Sequence, residues 1–364
     1  MRKYGLTIIC SILLFSVLFL TGCGDSKPEK MVRSELDQIQ NLDENTIKAF
    51  VSYEDMMHSQ SSGSDIGKET TEAVQLFFEN FSYRILSSSA TERTATVNVE
   101  ITNLDAKALA KDLCKELIRR SISPDSTDDS LLSMNSYFTL LRDILNSHEY
   151  QQVSTSAHFE LVNTDGSWTI QSTEKLEDEI VGGFISCLHD PYLITPEETA
   201  ALAFDMFKEQ SPKEWVSYLG MNDIFSTYSS LYQDVDLALA KQIAKCFDYK
   251  IKKVTQEEDN AAATVEITSL DMESVLDVYL DKLMEYASTT EAVRATDTEL
   301  ADKTSELLID TLNNNTKTTS NTIKIHFTNN GKNWEMQLGD DFTDVILGNM
   351  NAAVETFQSK TTGS

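Results

Sequence analysis

The chain has 364 residues, with 30 Lys and Arg against 58 Asp and Glu, and a formal net charge of −28. An acidic surface of that strength, with no run of Lys or Arg, argues against nucleic-acid binding. Gly and Pro number only 13 and 5, and neither GxGxxG nor GxxxxGK[ST] occurs, so a nucleotide-cradling loop is disfavoured and no cofactor is expected.

Arg2 and Lys3 precede an apolar run from Leu6 to Leu20, which at roughly 15 residues falls short of the ~20 that span a bilayer as a permanent helix. Leu20-Thr21-Gly22-Cys23 follows. Charged start, apolar run and an aliphatic-small-small-Cys tetrapeptide in that order resemble the signal and lipobox of bacterial lipoproteins. The resemblance implies cleavage after residue 22 and a diacylglyceryl thioether on Cys23, and it allows a further acyl chain such as palmitate on the new N-terminus. Each buried methylene contributes about 0.8 kcal/mol, so two or more chains hold a protein firmly at a membrane that it does not cross. The expected address is the outer face of the bacterial cytoplasmic membrane. Residues 23–30 read as a polar tether.

Helical patterning is expected from Met31 to Met57 and from Lys68 to Phe78. Period-two alternation follows at Tyr83 and Ile85 and again at Val99 and Ile101, which marks strands of a sheet with one face buried. Ser61 to Ser64 and Ser87 to Ser89 read as loops. After Asp105 the period becomes helical, with Leu109, Leu113 and Leu117 at i, i+4, i+8. A second amphipathic segment places Leu131, Met134, Phe138, Leu141 and Leu145 on one face. Strands over 153–162 and 167–172 join through Asn163-Thr164-Asp165-Gly166, and a helix from Glu174 to Ser186 closes the pattern.

The pattern then repeats. NVEITNLD at 98–105 returns as TVEITSLD at 264–271, an offset of 166. The same offset carries Phe81, Tyr83 and Ile85 onto Phe247, Tyr249 and Ile251, and Trp168, Ile180 and Gly182 onto Trp334, Ile346 and Gly348. One register sustained over about a hundred residues identifies a tandem duplication. Cys187 to Ile194 reads as the linker, and Thr195-Pro196-Glu197-Glu198 as a capped helix start. The expected domains are 31–190 and 191–358, with 359–364 a polar tail. In the second copy a helical stretch runs from Pro196 to Lys245, with Trp215, Tyr218 and Leu219 among its apolar positions. Gln256 to Asn260 forms its first hairpin loop, strands over 322–327 and 333–338 its second hairpin, and Asp341 to Met350 its last helix.

Helices, hairpin, helices, hairpin, helix predicts an α+β fold, two tandem copies of a roughly four-stranded antiparallel sheet packed by helices. TDGSWTI at 164–170 and NGKNWEM at 330–336 resemble the Gly-x(-x)-Trp-x-hydrophobic strand that ends many extracytoplasmic domains of the nuclear transport factor 2-like and cystatin-like superfamily. The resemblance implies a curved sheet whose mouth can hold a ligand or an acid/base pair. On that basis Tyr83, Trp168, Tyr249 and Trp334 are candidate pocket-lining residues, although large aromatics at strand positions are more often core.

Nothing recurs that would carry catalysis in both copies. The five histidines, at 58, 148, 158, 189 and 326, have no partners at the common offset. Glu100 and Glu266 should face solvent, and Asp105 and Asp271 stand at helix N-caps. Asp125, Asp128 and Asp129 lack the Gly and terminal Glu of a calcium loop. Cys114, Cys187 and Cys246 have no metal-site spacing; they read as buried thiols, or as one bridge such as Cys114 to Cys187. The sequence therefore favours a non-enzymatic, membrane-anchored interaction module whose partner is an envelope protein, a wall polymer or a small ligand. An enzyme of hydrolase, isomerase or dehydratase type with a cone-shaped pocket is the second reading. A transporter's solute-binding protein is the third, disfavoured because such proteins are built from βαβ units.

Overall fold

The computed structural model describes residues 28–42, 68–122, 134–221 and 230–362. The chain divides into two units between Leu193 and Ile194. The signal segment, Cys23, Met57, Ser61 to Ser64, Asp125 to Asp129 and Leu131 lie outside the described residues.

In the first unit the order is α1 (Pro28–Gln40), α2 (Lys68–Phe78), β1 (Ser82–Ala90), β2 (Thr94–Leu104), α3 (Ala106–Ile122), α4 (Met134–Ser147), β3 (Gln152–Thr164), β4 (Ser167–Ile170), α5 (Glu174–Ile180) and α6 (Phe184–His189). The second unit runs α7 (Pro196–Glu209), α8 (Pro212–Tyr218), α9 (Ser230–Cys246), β5 (Asp248–Glu257), β6 (Asn260–Leu270), α10 (Met272–Ala287), α11 (Thr290–Arg294), α12 (Asp297–Asn314), β7 (Thr318–Asn329), β8 (Trp334–Gln337), α13 (Asp340–Ile346) and α14 (Met350–Thr362). Each unit holds one four-stranded antiparallel sheet, in the order β1-β2-β3-β4 or β5-β6-β7-β8. The fold is therefore α+β and present twice, as the sequence predicts.

Period-two alternation decides which face is covered. Ala95, Val97, Val99 and Ile101 on β2, and Ala261, Ala263, Val265 and Ile267 on β6, are buried, while their neighbours are half-buried or exposed. Burying such a face supplies most of the stabilisation, about 25 cal/mol per Å² of apolar surface. In the second unit Phe204, Trp215, Phe247, Phe327 and Phe342 complete the core. Trp215 is fully buried, whereas Tyr218 is 43% exposed. One turn further along the helix face, its ring meets Phe207 edge-on instead.

The duplication extends to single hydrogen bonds. Asp105 N–H donates to the Gln151 carbonyl and Asp271 N–H to that of Lys317, 166 residues on. The Thr102 and Ser154 hydroxyls pair across the sheet at 2.7 Å, and Thr268 with Ser320 at 2.9 Å. The carboxylates of Asp105 and Asp271 accept from the N–H groups of Ala108 and Ser274, as N-caps should. Thr195 and Glu198 make a complete capping box.

Several boundaries differ from the sequence expectation. The first helix begins at Pro28, within the stretch read as tether. Ser87 to Ser89 lie in β1 rather than a loop, opposite Asn98, Val97 and Thr96, because the adjoining β2 edge offers their backbone a full ladder. The loop expected over Gln256 to Asn260 contracts to Glu258-Asp259, with Glu258 at φ 51°. In the first unit Asp165-Gly166, both left-handed, make the two-residue turn favoured between twisted strands. Each closing helix is split. Gly182-Gly183 and Gly348-Asn349 adopt positive φ and interrupt it, and the carboxylates of Asp178 and Asp344 accept from backbone N–H groups at the start of the following helix. The first of those following helices, α6, absorbs Cys187 to His189, so the connection between the units is shorter than the linker expected.

Candidate functional site

Tyr83 and Tyr249 stand on the edge strands β1 and β5, next to the first helix of their units. The Tyr249 hydroxyl donates to the Asp205 carboxylate at 2.7 Å and lies 3.2 Å from the Ala201 carbonyl. Tyr83 donates in the same way to Asp37, with the Arg33 carbonyl at 3.4 Å. Burial, reinforced by the adjacent carboxylate, pushes the Tyr83 hydroxyl up to about 12 and raises that of Tyr249 as well. Both phenols are therefore neutral donors at physiological pH, a poor state for a general base. The Tyr249 ring also stacks on Phe204 with centroids 5.0 Å apart.

Asp37 and Asp205 are absent from the expectations drawn on sequence. They are 168 residues apart rather than 166, so the register that aligns the strands misses them. Their signal is Pro-Glu at 28–29 and 196–197, with the aspartate eight residues after the glutamate in each copy.

The tryptophans have different settings. Trp334 is 4% exposed and belongs to the core, whereas Trp168 on β4 is half-buried. Two open grooves are present elsewhere. One, about 490 Å³, follows the flank of α1 and includes Arg33 and Asp37. The other, about 440 Å³, lies among α10, α11 and α12 between Tyr286, Arg294, Asp302 and Lys303. Tyr83, Trp168, Tyr249 and Trp334 line neither.

Glu100 and Glu266 sit on the outer sheet face, in ion pairs with Arg84 at 2.9 Å and Lys252 at 2.7 Å. No disulfide joins Cys114, Cys187 or Cys246. Burial raises the thiols of Cys187 and Cys246, which keeps them protonated and unreactive. Among the described residues no cluster of three or more His, Cys, Asp or Glu is placed to hold a metal ion. No helix among them is long and apolar enough to cross a membrane.

Neither a family model nor a curated protein sequence matches the chain significantly. Among solved structures, the chain is similar to one described as "a putative lipoprotein (ycdA) from Bacillus subtilis", at 12% identity over 73% of this chain and 95% of that one, with a TM-score of 0.28. A likeness that loose carries no argument about fold or chemistry, which rest on the geometry above.

The two sheets carry different residues on their outer faces. Both edge strands carry a β-bulge at the same place, skipping Leu86 between Ile85 and Ser87 and Lys252 between Ile251 and Lys253. A bulge turns two successive residues to one side. In the first unit these are Leu86 and Ser87; in the second they are Lys252 and Lys253. Lys324, across β6 from Lys253, replaces His158 of the first unit. The sequence reading anticipates no basic patch, since these lysines are spread over two strands and meet only across the sheet.

Proposed function

We propose that the chain is an extracytoplasmic lipoprotein, held at a membrane through lipid on Cys23, whose two α+β units act as non-enzymatic interaction modules. The observation that carries the anchoring is the ordered signal, Arg2-Lys3, Leu6 to Leu20 and Leu20-Thr21-Gly22-Cys23. The interaction role is supported by the sheets. Their helices cover one face and leave the other open to solvent, with Thr, Ser and Asn ladders in both units and different charges on each. The unit architecture, a four-stranded antiparallel sheet with helices on one side, is in keeping with a cystatin-like or nuclear transport factor 2-like reading, with the helix pair between the hairpins as an addition. Recurring polar groups serve as caps, ion pairs and tyrosine acceptors rather than converging on a reaction centre.

Growth of a bacterium expressing the chain with a radiolabelled or clickable fatty acid tests the anchor. The wild-type chain is expected to take up label and sediment with membranes, and Cys23→Ser to lose the label and resist signal cleavage. Label retained on the Cys23→Ser chain overturns the anchoring reading.

A further inference from the structure

We infer that the outer sheet face of the second unit is a docking surface for a linear polyanion, a phosphodiester-bearing wall polymer. The inference deepens the interaction reading above and rests on it. The unit from Ile194 onward has 14 Lys and Arg against 29 Asp and Glu, so cations are scarce, yet Lys250, Lys252, Lys253 and Lys324 share this one face. Register explains how. Lys253 and Lys324 flank Thr264 from either side, and Lys250 stands opposite Glu266 one step along the same face. Neighbouring strands are about 4.8 Å apart, which puts the backbones of Lys253 and Lys324 about 10 Å apart with a hydroxyl between.

Two of the nearby carboxylates are already neutralised by other lysines. Glu266 is taken by Lys252 at 2.7 Å and Asp248 by Lys208 at 2.8 Å; Glu335, at the far edge, keeps its charge and accepts from the Asn330 side chain. Lys250, Lys253 and Lys324 are exposed and make no ion pair with any described residue. Three ammonium groups outside any ion pair, set around the Thr264 hydroxyl, attract repeated negative charge. Neither of the two grooves described above lies on this face. Asp248, Glu257 and Glu335 edge it, and a bilayer plane would press those carboxylates against its own headgroups, whereas a single polymer strand can follow the lysines between them. The first unit has Arg84, Ser87 and His158 at the positions of Lys250, Lys253 and Lys324, so the surface is particular to the second.

The test uses the full-length chain in a non-ionic detergent, with linear inorganic polyphosphate as probe. Binding is expected, weakening as salt rises, and Lys253→Gln/Lys324→Gln is expected to weaken it about tenfold and flatten the salt dependence. Lys253→Arg/Lys324→Arg, which keeps the charge, should retain binding, and Lys213→Gln/Lys241→Gln, on the helices of the unit, should leave it unchanged. Unaltered thermal midpoints confirm folding. No polyphosphate binding by the wild type, equal binding by the glutamine variant, or binding to phosphatidylglycerol vesicles without binding to polyphosphate each overturns the inference. Loss of lipidation at Cys23 does not affect this assay, so the two readings fail separately.

Discussion

The Tyr249 hydroxyl donates to the Asp205 carboxylate at 2.7 Å, and Tyr83 makes the same bond to Asp37. In both units it ties the edge strand to the first helix, where no ladder hydrogen bond can reach. Hydrogen bonds to an ionised acceptor contribute about 1.5–3 kcal/mol. Tyr249→Phe is therefore expected to destabilise the second unit by roughly that amount, measured as a lower denaturant midpoint with an unchanged slope. Tyr83→Phe should do likewise in the first. Because folding raises the Tyr83 pKa from 10.0 to about 12, its contribution is complete below pH 10 and is lost as pH rises through 12. The phenylalanine variant should lack that part of the alkaline decline.

A left-handed glycine separates the two closing helices of each unit, and the two positions differ in crowding. At Gly348, φ is 76° and an added Cβ would run into the Leu270 carbonyl oxygen. At Gly182, φ is 68° and the nearest atom to such a Cβ is Ala106 Cβ at 3.4 Å, an ordinary contact. Gly182→Ala should cost about 1–3 kcal/mol from backbone conformation alone. Gly348→Ala should cost clearly more, since backbone must shift as well. Thermal unfolding of the two variants side by side checks the order, and equal losses would refute the steric argument.

The fold was legible where one side chain's neighbours along the chain decide its face. Val97, Val99 and Ile101 alternate with polar residues, so strand, buried face and helix-capping Asp105 all followed from local pattern. The bulge was also written there, as the stutter Tyr249-Lys250-Ile251-Lys252-Lys253-Val254, in which two polar residues break the alternation. What it implies for charge was not legible, because Lys324 joins Lys253 only through strand pairing 71 residues apart. Asp37 and Asp205 escaped for a different reason. The copies differ by two residues between the first helix and the first strand, so a single offset cannot align both.

Asn103 and Ser269 occupy the same place in the two units, buried near the end of the second strand. Ser269 Oγ donates to the Val345 carbonyl at 2.6 Å, whereas neither amide atom of Asn103 has a hydrogen-bond partner among the described residues. An unpaired buried polar group costs about 1–3 kcal/mol. Asn103→Ser, which installs the second unit's solution, is expected to raise the first unit's unfolding midpoint. Ser269→Asn should lower that of the second. A drop in stability for Asn103→Ser would mean that the lost volume outweighs the removed polar atoms.

Asp236 on α9 is buried and burial alone raises its carboxyl pKa above the ordinary 3.8. No cation or hydrogen-bond donor among the described residues compensates it, and the first unit has the neutral Thr70 at the equivalent position, also buried. The sign of the pH effect follows directly. A carboxyl whose pKa is higher in the folded state favours folding while protonated, so the folded chain is penalised increasingly as pH rises from 3.8 through the raised value. Above the raised value the penalty is complete. Asp236→Asn, which keeps the shape and removes the charge, is expected to stabilise the second unit by about 1 kcal/mol or more at pH 7. The gain should shrink on acidification and vanish below pH 3.8, where the wild-type side chain is neutral in both states. Unfolding midpoints of the two chains across pH 3 to 7 decide it: a constant difference would assign the effect to packing, and a difference that closes at low pH assigns it to the buried charge.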